Sequence, residues 1–277
     1  MQTITIAHSP DADDIFMAYG LACGAVTIPG VQFEFVMDDI ETLNKCALED
    51  RYPMTAISFH AYPYIHKQYR LMTVGASMGE ADYGPIVVAK TELDESQLSN
   101  ATIAIPGRYT SAALILKLAF PKAKTVIMPF NDILPAVIDG RVDAGLLIHE
   151  SQMQFQDAGC QLILNLPQWW QKKFKLPIPL GTNALSKHLD STLQEQLVKA
   201  QRDSILYAMA NRDAALRYTQ ETRDGNLPIS FLDQYIARYV NQRTVAINDE
   251  ERRAVQALYD AGFECGALTE KITPEWI

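Results

Sequence analysis

The 277-residue chain is 48% hydrophobic, enough for one large core or two smaller ones, and its 14 glycines and 14 prolines exclude a low-complexity class. With 33 acidic against 24 basic residues the formal net charge is -9, which argues against a nucleic-acid partner because phosphate contact needs a basic face. Cys23, Cys46, Cys160 and Cys265 are widely spaced and contain no CxxC pair, so neither a zinc site nor a disulfide framework is expected.

Alternation of polar and apolar residues from Thr3 to His8 predicts a strand at the outset, with no basic, apolar and cleavage regions of a signal peptide. No window reaches the ~18 consecutive apolar residues of a membrane span. The expectation is a soluble, cytoplasmic protein with no membrane partner. Ser9-Pro10-Asp11-Ala12-Asp13-Asp14 then opens a helix through Ile15–Gly20, with Ser9 or Asp11 as its cap. Strands follow at Val31–Val36 and Met54–Ser58, separated by a helix over Asp39–Leu48. Two more strands are expected at Tyr69–Val74 and Pro85–Ala89, with a loop of small residues, Gly75–Gly79, between them. Strand–helix–strand rhythm of this kind marks a largely parallel α/β sheet.

Glu92–Asn100 is polar and reads as a surface crossing into a second α/β unit. There a strand at Ala101–Ile105 turns through Pro106-Gly107-Arg108-Tyr109-Thr110-Ser111 into a helix over Ala112–Phe120. Thr125–Met128 is a strand, Asp132–Ile138 a short helix, and Val142–Ile148 a buried strand that stops on His149 and Glu150. A last strand spans Gln161–Leu164, and Ile178–Leu185 is a strand returning to the first unit. From Ser191 onward the pattern is helical: Ser191–Ala210, Asp213–Glu221, Ile229–Val240 and Asn248–Ala261. Leu268–Ile277 shows no clear periodicity.

This order describes two α/β lobes around a central cleft with a helical C-terminal region: residues 1–91 and 178–277 form the larger, discontinuous lobe and 92–177 the inserted one. Hinges are expected near Lys90–Asp94 and Leu176–Pro179. Ligands of open α/β sheets sit beyond the carboxyl ends of the strands. Four places put polar groups there: His8-Ser9, Ser58 with His60, Thr110-Ser111, and His149-Glu150. Thr110 and Ser111 stand at a helix start, which suits a carboxylate, although for either residue alone an ordinary N-cap is the plainer reading. Ser58 reads either as a ligand group or as a turn serine. His149 is a candidate base; a solvent-facing strand-end histidine is the plain alternative. Trp169 and Trp170 read mainly as a buried structural pair, and no histidine–carboxylate spacing suggests a metal.

Six blocks in order carry a resemblance: Ser9–Phe16, Asp39–Asn44, Gly84–Ala89, Pro106–Ser111, Ala144–Glu150 and Leu176–Gly181. Together they resemble the 1,4-dihydroxy-6-naphthoate synthase family of the futalosine route to menaquinone, over about residues 3–262. The resemblance implies a periplasmic-binding-protein-like fold (type II) used as an enzyme without metal or organic cofactor. Its small-molecule carboxylate substrate would be cyclic dehypoxanthine futalosine. It puts the general base on His149, paired hydroxyls on Thr110 and Ser111, and further substrate contacts on Ala56, Ile57 and Ser58, with Ser9 beside them. Many members have a lysine where Ala56 stands, for which Arg108 is the candidate substitute, and Cys-Pro-Asn-Asp-Thr where this chain has Asp11-Ala12-Asp13-Asp14-Ile15. Two other readings use the same fold: a binding protein for a small carboxylate, and the chorismate dehydratase of the same pathway. The Ile148-His149-Glu150 block favours the naphthoate synthase over the latter.

Overall fold

The computed structural model describes residues 1–223 and 227–277, with the side chains of Glu95 and Glu150 outside that set. In chain order its first strands are β1 (Gln2–His8), β2 (Val31–Met37), β3 (Met54–Ser58), β4 (Tyr69–Leu71), β5 (Ser77–Gly79) and β6 (Ile86–Ala89). They are followed by β7 (Thr102–Ile105), β8 (Lys124–Ile127), β9 (Ala144–Leu147), β10 (Gln161–Asn165) and β11 (Ile178–Ser186). The helices among the first 174 residues are α1 (Ala12–Ala22), α2 (Ile40–Leu48), α3 (Tyr62–Ile65), α4 (Glu95–Asn100), α5 (Ser111–Ala119), α6 (Phe130–Ile138) and α7 (Leu166–Phe174). Beyond them lie α8 (Ser191–Ala210), α9 (Arg212–Thr222), α10 (Ile229–Tyr239), α11 (Gln242–Val245) and α12 (Asp249–Glu264). Among the described residues no helix is long and apolar enough to cross a membrane.

The chain divides into two compact units, Met1–Met78 with Gly181–Arg252 and Thr273–Ile277, and Gly79–Leu180 with Arg253–Ile272. The first holds a sheet ordered β2-β1-β3-β11-β4, with β5 added to β11. Its β1 lies parallel to both β2 and β3, whereas β11 runs antiparallel to β3 and β4. The second unit holds the sheet β10-β6-β9-β7-β8, in which β7 is parallel to β8 and β9, and β6 is antiparallel to β9 and β10.

Several expectations shift. The strand at Ile86–Ala89 belongs to the second sheet rather than to the first lobe, so the expected limits at 91/92 and 177/178 differ from those of the compact units. All four residues of β6 are buried, and a short, wholly apolar strand carries no mark of which sheet it joins. The polar crossing 92–100 contains α4, closed by a capping box between Asp94 and Gln97, with Leu98 as its buried anchor. Trp169 and Trp170 lie on α7, where Asn165 caps the start by accepting from the Gln168 N–H at 2.9 Å. The small-residue loop 75–79 supplies β5.

The last residues, which show no periodicity, are held by backbone pairing. Leu71 N–H donates to Glu275 O at 2.9 Å, and Ile277 N–H donates to Leu71 O at 2.8 Å. Glu275 also receives Arg70 Nε and Lys187 Nζ, each at 2.5 Å, which holds its carboxyl below the usual carboxylate range. The tail thus extends the edge of the first sheet.

Packing of α1 on α8 depends on one small residue. A Cβ at Gly20 would stand 2.7 Å from Ser204 Cα, and the Ser204 hydroxyl donates to Met17 O at 2.7 Å. Backbone cannot withdraw as a side-chain tip can, so Gly20→Ala is expected to destabilise by about 1–3 kcal/mol as overpacking. Denaturant melts of the two proteins measure this, and an unchanged midpoint would contradict the close contact.

Candidate functional site

Each unit presents polar side chains where two parallel neighbours end. In the first unit β1 and β3 are those neighbours, so His8 and Ser9 leave the same sheet edge as Ser58. His8 is buried, and its Nδ1 lies 2.8 Å from Ser9 O. A carbonyl only accepts, so Nδ1 carries the hydrogen and Nε2 is the acceptor in the neutral ring. Ser9 is built into the start of α1. Its hydroxyl oxygen accepts from Asp11 N–H at 3.2 Å, and its own N–H donates to Asp14 Oδ2 at 3.0 Å. Asp11 occupies the N-cap position without a side-chain cap bond, and the Ser9 hydroxyl accepts only from the Asp11 N–H ahead of the helix, so the capping expected of Ser9 or Asp11 is not seen. Burial pushes the Asp14 carboxyl above the usual aspartate value, although His8 and the hydrogen bonds from Ser9 pull the other way.

Ser58 closes β3 and is held from α2. Its N–H donates to Asn44 Oδ1 at 2.9 Å, and Asn44 Nδ2 donates to its Oγ at 3.2 Å. Beside it, β11 has Gly181 as the register partner of Ser58, where a Cβ would stand 2.7 Å from Ile57 O. Ala56 packs its methyl with Ala7 and Leu43, and Ile57 is fully buried, so neither contributes a polar side chain. His60 sits in the 3-10 turn Phe59–Ala61, buried and edge-on to Tyr64 at 5.8 Å.

In the second unit the parallel neighbours are β7 and β9. After β7 the chain turns at Pro106-Gly107 and starts α5, with Thr110 as N-cap. The Thr110 hydroxyl accepts from Ala113 N–H at 3.3 Å and donates to Gly107 O at 3.2 Å, so the ordinary capping role is present. The Ser111 hydroxyl donates to Leu180 O at 2.6 Å. Arg108 is exposed, its guanidinium 5.9 Å from the Tyr109 ring centroid.

After β9, His149 takes an extended conformation at the start of the 3-10 turn Glu150–Met153. It is 4% exposed, which overturns the solvent-facing alternative for a strand-end histidine. Its ring lies against Phe130, with centroids 3.8 Å apart and planes at 47°. Phe130 was not legible as a site residue, because only the packing of α6 on β9 brings it there. That packing is close: a Cβ at Gly145 would stand 2.6 Å from Ile133 Cγ2 and 2.8 Å from Val137 Cγ2. The Glu150 side chain lies outside the described residues. Trp170 is fully buried, donates through Nε1 to Pro177 O at 3.0 Å and lies against Phe174, a structural role. Trp169 is only half-buried, with Lys173 Nζ 5.1 Å from its ring centroid, so the expected buried pair is reduced to Trp170. Among the described residues no group of three or more His, Cys, Asp or Glu is arranged to hold a metal ion.

The raised Asp14 pKa has a thermodynamic sign. Its stabilising contribution is present below the unfolded value, about 3.9, and is lost as pH rises through the folded value. Asparagine keeps an acceptor for Ser9 N–H without this loss. The Tm of Asp14→Asn minus that of the wild type is therefore expected to grow as pH rises above about 4 and then level off. A difference that stays flat from about pH 4 to 7 would remove the burial cost.

Residues 4–264 match the protein family described as menaquinone biosynthesis. A 1,4-dihydroxy-6-naphthoate synthase of Thermus thermophilus is 34% identical over 259 residues, 94% of this chain and 93% of that protein. One from Streptomyces coelicolor is 30% identical over 263 residues, covering 92% and 91%. The crystal structure of a protein from Archaeoglobus fulgidus is 42% identical, with a TM-score of 0.91 over 96% of this chain and 98% of that one. The periplasmic aliphatic sulphonate-binding protein of Escherichia coli shares the fold alone, at 10% identity and a TM-score of 0.69 over 99% and 96%. The architecture is thus periplasmic-binding-protein-like, and the chain belongs to the menaquinone-biosynthesis family of enzymes, with the 1,4-dihydroxy-6-naphthoate synthases.

Proposed function

We propose that this enzyme releases 1,4-dihydroxy-6-naphthoate from cyclic dehypoxanthine futalosine, with His149 as the general base and without a metal or organic cofactor. The observation that carries this reading is the buried imidazole at the end of β9, one parallel strand away from the start of α5. A base and a helix N-terminus on one sheet edge suit a reaction that removes a proton and builds negative charge on oxygen.

In this reading the neutral imidazole, whose ordinary pKa is about 6.5, takes a proton next to a carbonyl-like centre of the substrate. The carbonyl-like centre takes up the electron pair left by the proton. The spiro ring's carbon–carbon bond then breaks with release of a small sugar-derived fragment that carries that bond's electron pair and is protonated, and aromatisation of the product favours the step. The positive end of α5 faces the substrate carboxylate or the developing oxyanion. The Thr110 and Ser111 hydroxyls, which donate to the Gly107 and Leu180 carbonyls, turn to the substrate on binding. Ser58, Ser9 and the backbone at Ala56 and Ile57 are assigned to further substrate contacts, and Arg108 to the carboxylate. The setting of such a biosynthetic step is the cytoplasm.

Incubating the protein with cyclic dehypoxanthine futalosine and following naphthoate by chromatography tests the substrate. Turnover is expected; binding without turnover would point instead to a carboxylate-binding protein. For the base, His149→Ala is expected to lower kcat/KM by about 10²–10⁴-fold with the melting profile retained. Near-wild-type rates for that variant would take His149 out of the mechanism.

A further inference from the structure

Asn44 is an unusual residue to find where it is. It lies within α2, is 0% exposed, and has Leu43 and Ala47 as buried neighbours on the same helix. Asparagine has no advantage inside a helix, and a buried amide costs free energy unless its hydrogen bonds are made. Here both ends of the amide are committed to a single residue, Ser58: Oδ1 accepts from the backbone N–H at 2.9 Å, and Nδ2 faces Oγ at 3.2 Å.

The orientation of the amide follows from chemistry. A backbone N–H can only donate, so the atom facing it must be the amide oxygen, and the atom facing Oγ must be the NH₂ group. The NH₂ group can only donate in turn, so Ser58 Oγ is an acceptor in that contact. A hydroxyl that accepts from one side keeps its own hydrogen for another partner. We propose that Asn44 is a positioning residue: by donating to Oγ and anchoring the Ser58 N–H, it makes the Ser58 hydroxyl an outward hydrogen-bond donor for an acceptor group on the substrate. An anionic oxygen, such as that of a carboxylate, is the chemistry this donor fits best. Gly181 serves the same arrangement from the other side, because its missing side chain lets β11 lie against the Ile57 carbonyl just before Ser58.

This inference rests on the assignment of Ser58 to substrate, and a double-mutant cycle separates the two. Asn44→Asp is nearly isosteric and still accepts from Ser58 N–H, but its carboxylate draws the Ser58 hydroxyl hydrogen to itself. KM for cyclic dehypoxanthine futalosine is expected to rise about 10- to 100-fold, the worth of one hydrogen bond to a charged group, with kcat near wild type and a lowered Tm, because the new carboxylate is buried. Ser58→Ala is expected to raise KM by a similar factor, and adding Asn44→Asp to it should change KM no further. Asn44→Ala, which introduces no charge, is carried through the same cycle with the same expectation. An unchanged KM in Ser58→Ala would overturn the substrate role of Ser58 and the inference with it. A raised KM in Ser58→Ala with a normal KM in both Asn44 variants would overturn the inference alone. So would an Asn44 effect that persists undiminished in the Ser58→Ala background, since it would then act by charge or by general structure.

Discussion

Parallel strand pairing is the constraint on which the candidate residues of each unit depend. When neighbours run in the same direction, their carboxyl ends fall on one edge, and the residues just past one strand come within reach of those just past the other. In one unit this places His8 and Ser9 with Ser58; in the other it places the start of α5 with His149. The antiparallel strands have a different use. β11 and β6 fill out the two sheets, and β11 supplies the glycine that lies against the end of β3.

Polar groups buried at such an edge must find partners, some in the adjoining turn and others on separate elements, as Ser111 does at Leu180 O. Ser9 is bonded to the turn it begins, Ser58 to a helix that precedes it by 14 positions, and Thr110 to the loop it closes. These bonds do two things at once. They remove the cost of burying the groups, and they set the direction in which each hydroxyl or ring can still act. For His8 the carbonyl of Ser9 selects the tautomer; for Ser58 the Asn44 amide selects the side from which the oxygen accepts.

Close approach adds precision that hydrogen bonds alone would not supply. Gly145 lets α6 settle on β9, and the first residue of α6, Phe130, then reaches the His149 ring. In the same unit Gly262 does likewise, since a Cβ there would meet Leu268 at 2.9 Å and Leu114 of α5 at 3.4 Å. Aromatic contact of the Phe130–His149 kind contributes about 0.5–1.5 kcal/mol beyond area burial and limits how the imidazole can turn.

Much of this was written in local chemistry. β3 at Met54–Ser58 and α8 at Ser191–Ala210 have the limits expected of them, because apolar runs, Asp190 as a cap and the 3.6-residue period act within a few positions of one another. The candidate residues at strand ends were legible for the same reason. What no local pattern contained was pairing at a distance: which sheet β6 joins, how Glu275 and Ile277 attach to Leu71, and that Phe130 and Asn44 stand against His149 and Ser58. Sequence by itself determined most of the elements, though not α4 or β5, and the chemistry carried at their ends. Only tertiary structure decided which ends share an edge and which neighbour orients each group, because those choices depend on contacts between residues far apart in the chain.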